Sequence, residues 1–232
     1  MFDTARAEEI RRLQDRIRGM QRTRLADRTL PTASALAGLL PGGALTVGGS
    51  YVVDGSTTLA LALLREPSRA GSWCAVVGMP DLGVEAAATA GIELERLVLV
   101  PRPGEQWLAV VSALVDAIDV VLVQPPARAR VGEAMAARLA ARLRQREGVL
   151  VSTRPWPRAE ARLAVVESDW AGLGAGFGRL AARQVTVAAS SPVWQGRTRS
   201  RRLWLPDATG SVSPVAARAE ERRSEEALRA LG

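Results

Sequence analysis

The side chains with which this protein could perform chemistry are few. Its 232 residues include no histidine and one cysteine, and all 31 basic residues are arginine. Without histidine the chain has no imidazole base or imidazole metal ligand, and without lysine it has no Schiff base and no lysine for a phosphate-binding loop. Cys74 alone cannot form a zinc cluster or an internal disulfide. The composition therefore predicts a protein that is not an enzyme and that carries no metal and no cofactor.

One segment, residues 48–59, has the position of a phosphate-binding loop between a strand and a helix. A working loop needs the pattern G-x-x-x-x-G-K-[ST], in which backbone amides hold the phosphates and the lysine reaches the outer ones. Here Gly55 is the second glycine, Ser56 occupies the lysine position and Thr57 keeps the hydroxyl. Asp54 adds a negative charge where polyphosphate would lie. The pattern predicts a vestigial nucleotide loop at Gly55, Ser56 and Thr57, with weak anion binding left open.

Two arginine clusters are candidates for contact with DNA, and the first begins with Arg128 and Arg130. The net charge of +7 and the pI near 11.2 favour an anionic partner, nucleic acid above all. In the second cluster, residues 194–204, four arginines and no acid lie between two tryptophans, which resembles a hairpin tip. Arginine binds backbone phosphates and tryptophan can stack on bases, while an exposed turn with its tryptophans packed inward is an equal alternative. The candidate DNA-binding residues are Arg128, Arg130, Arg154, Arg197, Arg199, Arg201 and Arg202.

The elements that must position these residues alternate along the chain. Short β-branched runs and Ala/Leu-rich windows of helical period follow one another from about residue 44 to 205, which indicates an α/β fold with a mainly parallel sheet flanked by helices. The predicted strands are 44–47 with 51–53, 74–77, 97–100, 118–123 and 149–152, with 185–188 and 202–205 antiparallel. The predicted helices are 56–64, 84–90, 105–117 and 132–146.

The two ends of the chain differ from this core in composition. We predict an amphipathic N-terminal helix over 1–27, a core over 28–206 and a polar, helical C-terminal tail over 207–232. In the first helix Ile10, Leu13 and Ile17 recur at spacings of three and four, and this apolar stripe packs either on the core or on a partner protein. The charged N-terminus, the lack of a long apolar run and the lone cysteine predict a cytoplasmic protein that does not contact membranes.

A resemblance to a known family is carried by two segments, GSYVVDGSTTLALALL at 49–64 and SWCAVVGMPDLGVEAAATAGIELERLVLVPRPGEQWLAVVSALVDAIDVVLVQPP at 72–126. In order and spacing, residues from about 30 to 155 resemble the RecA core, and more narrowly the ImuA group of RecA-like accessory proteins. Compared with RecA, Gln124 stands in place of the metal-binding aspartate and Pro80 stands near the position of the water-activating glutamate. Together with Ser56, these differences predict a hydrolysis-deficient protein.

The resemblance implies a function in damage-induced (SOS) mutagenic translesion DNA synthesis. Proteins of the ImuA group act beside a Y-family-like polymerase subunit of the ImuB type, and through it with an error-prone DnaE-type polymerase. By this interpretation the chain is a scaffold that binds its polymerase-like partner and also contacts DNA. Three alternatives stay open: a cell-division inhibitor similar to SulA, an ATP-binding recombinase paralogue, and a nucleic-acid-binding domain without a polymerase partner.

Overall fold

The computed structural model describes residues 28–171 and 182–215. The predicted N-terminal helix with Ile10, Leu13 and Ile17, and most of the predicted tail, lie outside the described residues. The strands are β1 (Thr29–Leu30), β2 (Leu45–Thr46), β3 (Ser50–Asp54), β4 (Cys74–Val77), β5 (Leu97–Val100), β6 (Val120–Val123), β7 (Val149–Ser152), β8 (Ala161–Ala171), β9 (Ala182–Ser190), β10 (Thr198–Trp204) and β11 (Ser213–Pro214). The α-helices are α1 (Ser34–Ala37), α2 (Thr57–Arg69), α3 (Val84–Thr89), α4 (Trp107–Val115) and α5 (Glu133–Arg146).

Nine of these strands form one mixed sheet in the order β11-β10-β9-β8-β3-β7-β6-β4-β5. The pairings from β8 to β5 are parallel, and those from β8 to β11 are antiparallel. The central strands β4, β6 and β7 are buried along their whole length, as expected for parallel strands covered on both faces. The α/β class is thereby confirmed, and the sheet is mixed, with five parallel and three antiparallel pairings.

Helices cover the two faces of the sheet with separate apolar cores. On one face, buried residues of α1 and α2 pack against alternate residues of the strands from β3 to β10. On the other face, α4 and α5 pack against the intervening residues of β3, β4, β6 and β7. No helix among the residues that the structure describes is long and apolar enough to cross a membrane.

The connections around β3 create the edge at which a ligand can enter. From β3 the chain passes through α2 to β4 on one side, whereas β8, which follows β7, lies on the other side of β3. In such sheets ligands bind outside the carboxyl ends of the strands, where the direction of the connections reverses. The segment between β7 and β8 crosses the sheet on the α4 and α5 face, because Trp156 packs there against Val52 and its neighbours.

The elements agree with the predicted pattern in most places. The helices and the strands over 74–77, 97–100, 118–123 and 149–152 are confirmed with small changes of their ends, and β9 and β10 are antiparallel as expected. The longest described strand, β8, was not predicted at all. The predicted hairpin tip over 194–204 is wrong for most of its length, because only the turn before Thr198 is a tip and Arg199 to Arg202 lie within β10.

The environment of Cys74 leads to a testable expectation. Cys74 is fully buried in β4, and its burial raises the pKa of the thiol from 9.0 to about 12. The folded protein therefore holds the thiol proton more tightly than the unfolded chain does. This difference stabilises the fold fully below pH 9, and the stabilisation is lost as the pH rises towards about 12. Since the thiolate is the reactive species, we expect a disulfide reagent at pH 8 to leave the native protein unlabelled and to label one thiol after unfolding in urea. Rapid labelling of the native protein would contradict the central position of β4.

Candidate functional site

The turn between β3 and α2 occupies the position of the predicted nucleotide loop. β3 continues through Asp54, which still pairs with Ala164 of β8, so only Gly55 and Ser56 separate the strand from the helix. The Ser56 hydroxyl accepts a hydrogen bond from the Leu59 amide at 3.2 Å and caps α2. The turn is therefore a capped helix start, two residues long, in place of an extended loop that wraps around phosphates.

The carboxylate next to this turn is also engaged. Asp54 Oδ2 accepts a hydrogen bond from Arg162 Nη1 of β8 at 2.8 Å, within an ion pair. Asp54 thus binds a cation of its own chain at the position where a nucleotide would need a positive side chain. Thr57, the residue that keeps the hydroxyl of the motif, is exposed as the first residue of α2.

A lysine placed at residue 56 is not expected to create hydrolysis. We expect Ser56→Lys to show no ATPase turnover, because the turn is too short, the Gln124 amide brings no negative charge to a metal ion and Pro80 has no basic group. The variant will also lose about 1 kcal/mol of stability with the helix cap. Phosphate release and urea denaturation measure the two effects, and Ser56→Ala, which removes the cap without adding a cation, is the matched control. Turnover by the Ser56→Lys variant would show that metal binding and base are supplied by other residues.

A groove lined by arginines begins beside this turn, on the α4 and α5 face of the sheet. Its first part is a cavity of about 770 Å³ between the segment after β6 and the segment after β7. A second cavity of about 430 Å³ continues from it towards the turn before β10, and Trp156 and Arg162 line both. We call these two cavities together the arginine groove.

The groove brings together four of the seven predicted DNA-binding arginines. Arg128, Arg130 and Arg154 line the first cavity, and Arg197 lines the second. Two further arginines of the groove, Arg158 and Arg162, were not predicted. Both lie close to acids in the sequence, and Arg162 belongs to the strand that the sequence pattern did not reveal.

The charges within the groove are only partly compensated. Arg158 donates to Glu133 at 2.8 Å, and Arg162 is paired with Asp54. By contrast, the exposed side chains of Arg128, Arg130 and Arg197 make no hydrogen bond or ion pair with another described residue. The Nε atom of Arg154 is buried and has no hydrogen-bond partner within the same part of the chain. Four guanidinium groups of the groove are thus available to an anionic ligand, and the buried Nε atom of Arg154 favours such a ligand because an unpaired buried donor is costly.

The other three predicted arginines lie on β10, away from the groove. Because side chains alternate along a strand, Arg199 and Arg201 share the face of α1, while Arg202 lies on the opposite face. The Arg199 guanidinium covers the Trp194 ring at 4.3 Å from its centroid and donates to the Gly38 carbonyl at 3.4 Å. The four arginines of residues 194–204 therefore do not form a single patch.

A third cavity adjoins the groove at the carboxyl ends of β4, β5 and β6. It encloses about 770 Å³ and shares Pro125, Ala127, Ala129 and Arg154 with the first cavity. Pro80 and Gln124 both line it. Because five of its lining residues are prolines, we call it the proline pocket.

These cavities fall largely within a segment that is shared with other proteins. The family described as MT3502 N-terminal domain matches residues 38–158, just over half of the chain. The chain belongs to this family. A protein of Mycobacterium tuberculosis, the uncharacterized protein Rv3395c, is 35% identical over 129 residues, which are 54% of this chain and 63% of that protein.

The match to the MT3502 N-terminal domain divides the groove into two parts. It includes Arg128, Arg130, Arg154 and the whole proline pocket. Arg162, Arg197 and the antiparallel strands lie beyond its end at residue 158. The part of the groove next to the pocket therefore belongs to the family domain, and the second cavity is completed by residues that follow it.

Proposed function

We propose that this protein is a RecA-like accessory protein that binds the phosphate backbone of single-stranded DNA in the arginine groove and does not hydrolyse nucleotides. The observation that carries the proposal is the row of unpaired guanidinium groups on Arg128, Arg130, Arg154 and Arg197 along one continuous groove. Arginine is suited to this task because its planar group binds phosphate oxygens in pairs. A turn of two residues in place of a phosphate loop supports the second half of the proposal.

The geometry of the groove favours a single strand over a duplex. Arg128, Arg130 and Arg197 are exposed, whereas Arg154 is partly buried and its Nε atom is fully buried. A flexible single strand can bend to place a phosphate at this depth, while a stiff duplex can present its phosphates only at the rim. Single-strand binding by a basic groove is also tolerant of sequence.

Fluorescence anisotropy of a labelled oligonucleotide tests the binding directly. We expect the single strand to bind more tightly than a duplex of the same length. The logarithm of its affinity will fall with the logarithm of salt concentration with a slope of about −3, because four phosphate contacts contribute about 0.7 each. Absence of binding at low salt, with the protein shown to be folded, would refute the groove function.

The cellular role that we propose is support of damage-induced mutagenic DNA synthesis beside a Y-family-like polymerase subunit of the ImuB type. It rests on the resemblance of residues from about 30 to 155 to the ImuA group. Co-expression with such a subunit, followed by size-exclusion chromatography at moderately high salt, tests this role. Co-elution at a fixed stoichiometry that is lost after Ile10→Asp, Leu13→Asp and Ile17→Asp would support the scaffold and its N-terminal contact. Failure of a folded partner to associate would remove the polymerase role and leave the groove function standing.

The alternatives are less well supported by the site. An ATP-binding recombinase paralogue would need to hold a nucleotide at Gly55, Ser56 and Thr57, where the turn is short and capped. An inhibitor similar to SulA would capture a tubulin-like division protein and would leave the arginine groove without a role. Nucleotide binding at millimolar concentration would favour the recombinase paralogue, and capture of the division protein would favour the inhibitor.

A further inference from the structure

The proline pocket has a chemical character different from that of the arginine groove. Six of its thirteen lining residues carry an apolar ring, and one of these, Trp107 on α4, is only 9% exposed. The prolines come from three different connections, because each follows the carboxyl end of a neighbouring strand. They are Pro80 after β4, Pro101 and Pro103 after β5, and Pro125 and Pro126 after β6. Proline rings are rigid, so such a pocket loses little conformational entropy when a flat ligand enters.

The polar groups of the pocket are few and have no partners of their own. Gln124 and Glu105 line it, and neither side chain makes a hydrogen bond or an ion pair with another described residue. Gln124 can both donate and accept hydrogen bonds, and the Glu105 carboxylate accepts them. A pocket with apolar walls and a small number of placed polar groups is typical of a site for a small, partly polar ring system.

The pocket opens into the arginine groove where Arg154 lines both. Guanidinium groups that can bind phosphate therefore lie next to an apolar pocket. A nucleotide has the matching pair of groups, a charged phosphate and a flat base. Resting on the function proposed above, we propose that the proline pocket binds an unstacked base of the single strand whose phosphates lie in the arginine groove.

A base fits this pocket better than an apolar peptide would. Its faces are apolar and planar and suit the proline rings and the Trp107 indole, as in other single-strand sites that stack bases on flat side chains. Its edge carries donors and acceptors that can pair with Gln124 and Glu105. An apolar side chain would instead cover the partly buried Gln124 amide without offering it a hydrogen bond, which is costly. Because Glu105 accepts hydrogen bonds, bases with an exocyclic amino group will bind better than thymine.

Two oligonucleotides of equal length and equal charge test the proposal on the unmodified protein. One carries cytosine at every position, and the other has the same sugar-phosphate backbone without bases. We expect the abasic strand to bind about tenfold more weakly, with the same salt dependence, because only base contacts are lost. Equal affinity for the two strands would overturn the base pocket while leaving the groove function intact. Failure of both strands to bind would overturn the groove function and, with it, this inference.

Two variants test whether the difference in affinity between the cytosine strand and the abasic strand arises in the proline pocket. We expect Gln124→Ala to weaken binding of the cytosine strand several-fold and to leave binding of the abasic strand unchanged. The matched control is Gln106→Ala, because Gln106 is exposed near the pocket but does not line it. It should change neither affinity. If Gln124→Ala weakened the binding of both strands equally, the substitution would be acting on the fold at this edge of the sheet. The assignment of the pocket to a base would then be wrong.

Discussion

Replacing Arg128, Arg130 and Arg197 together with serine will weaken the binding of single-stranded DNA by roughly 100-fold at low salt. These three side chains line the groove without an acidic partner among the described residues, so their charge is fully available to phosphates. Removing three phosphate contacts will also reduce the steepness of the salt dependence by about 2. Anisotropy titrations over a series of salt concentrations measure both quantities.

The control for this variant removes the same charge from another surface. Arg69, Arg138 and Arg146 are exposed and line none of the three cavities. Their joint replacement with serine lowers the net charge equally, and we expect less than a threefold loss of affinity because distant exposed charges are screened. Equal losses in the two triple variants would mean that the protein binds DNA through its overall charge and that the groove has no special part.

The triple groove variant should fold normally, so a loss of DNA affinity can be assigned to the missing charges. Arg128, Arg130 and Arg197 are exposed and form no side-chain hydrogen bond within the described residues, and such substitutions change stability by about 0.5 kcal/mol or less. Arg154 is left unchanged for the opposite reason. Its side chain is partly buried, with a fully buried Nε atom, so its removal would alter packing as well as charge.

The central strands could be predicted from sequence because burial on both faces leaves a simple signal. β4, β6 and β7 are runs of small or branched apolar residues between polar turns, and the chain between them has helical period. β8 could not be predicted in this way. It is half exposed, and a register shift between Val165 and Glu167 interrupts its alternation of apolar and polar residues, so no single period describes it.

The candidate site, like the fold, could be predicted from the sequence only in part. Arg128, Arg130 and Arg154 follow strands that were predicted, so their meeting at one edge could be expected from the parallel order. Arg197, Arg199, Arg201 and Arg202 are close in sequence but do not lie together. Arg197 is in the turn before β10, and within β10 Arg202 lies on the face opposite Arg199 and Arg201. The proline pocket could not be predicted from the sequence, because it forms where three connections meet in space. The periodicity of apolar residues along the chain carries no information about such a meeting.

Gly78→Ala will destabilise the protein by about 3 kcal/mol or more, because two separate costs coincide at this residue. Gly78 has a φ of +78°, in the left-handed region that is unfavourable for residues with a Cβ. A Cβ at this position would also collide with the backbone carbonyl oxygen of Gln124. The two backbones are held together here, because the Gln124 amide donates to the Val77 carbonyl and the Gly78 amide donates to the Val100 carbonyl, each at 2.9 Å. Urea denaturation measures the loss in the free energy of unfolding.

Gly104, which also lines the proline pocket, separates the two costs. Its φ is +65°, but a Cβ there would meet no atom within 4 Å. Gly104→Ala should therefore carry the backbone cost alone, about 1 kcal/mol. The difference between the two variants measures how closely β4 and β6 approach at the edge of the pocket. If both variants lost the same stability, the strands would be free to separate there, and the pocket would lack the rigid wall on which binding of a base depends.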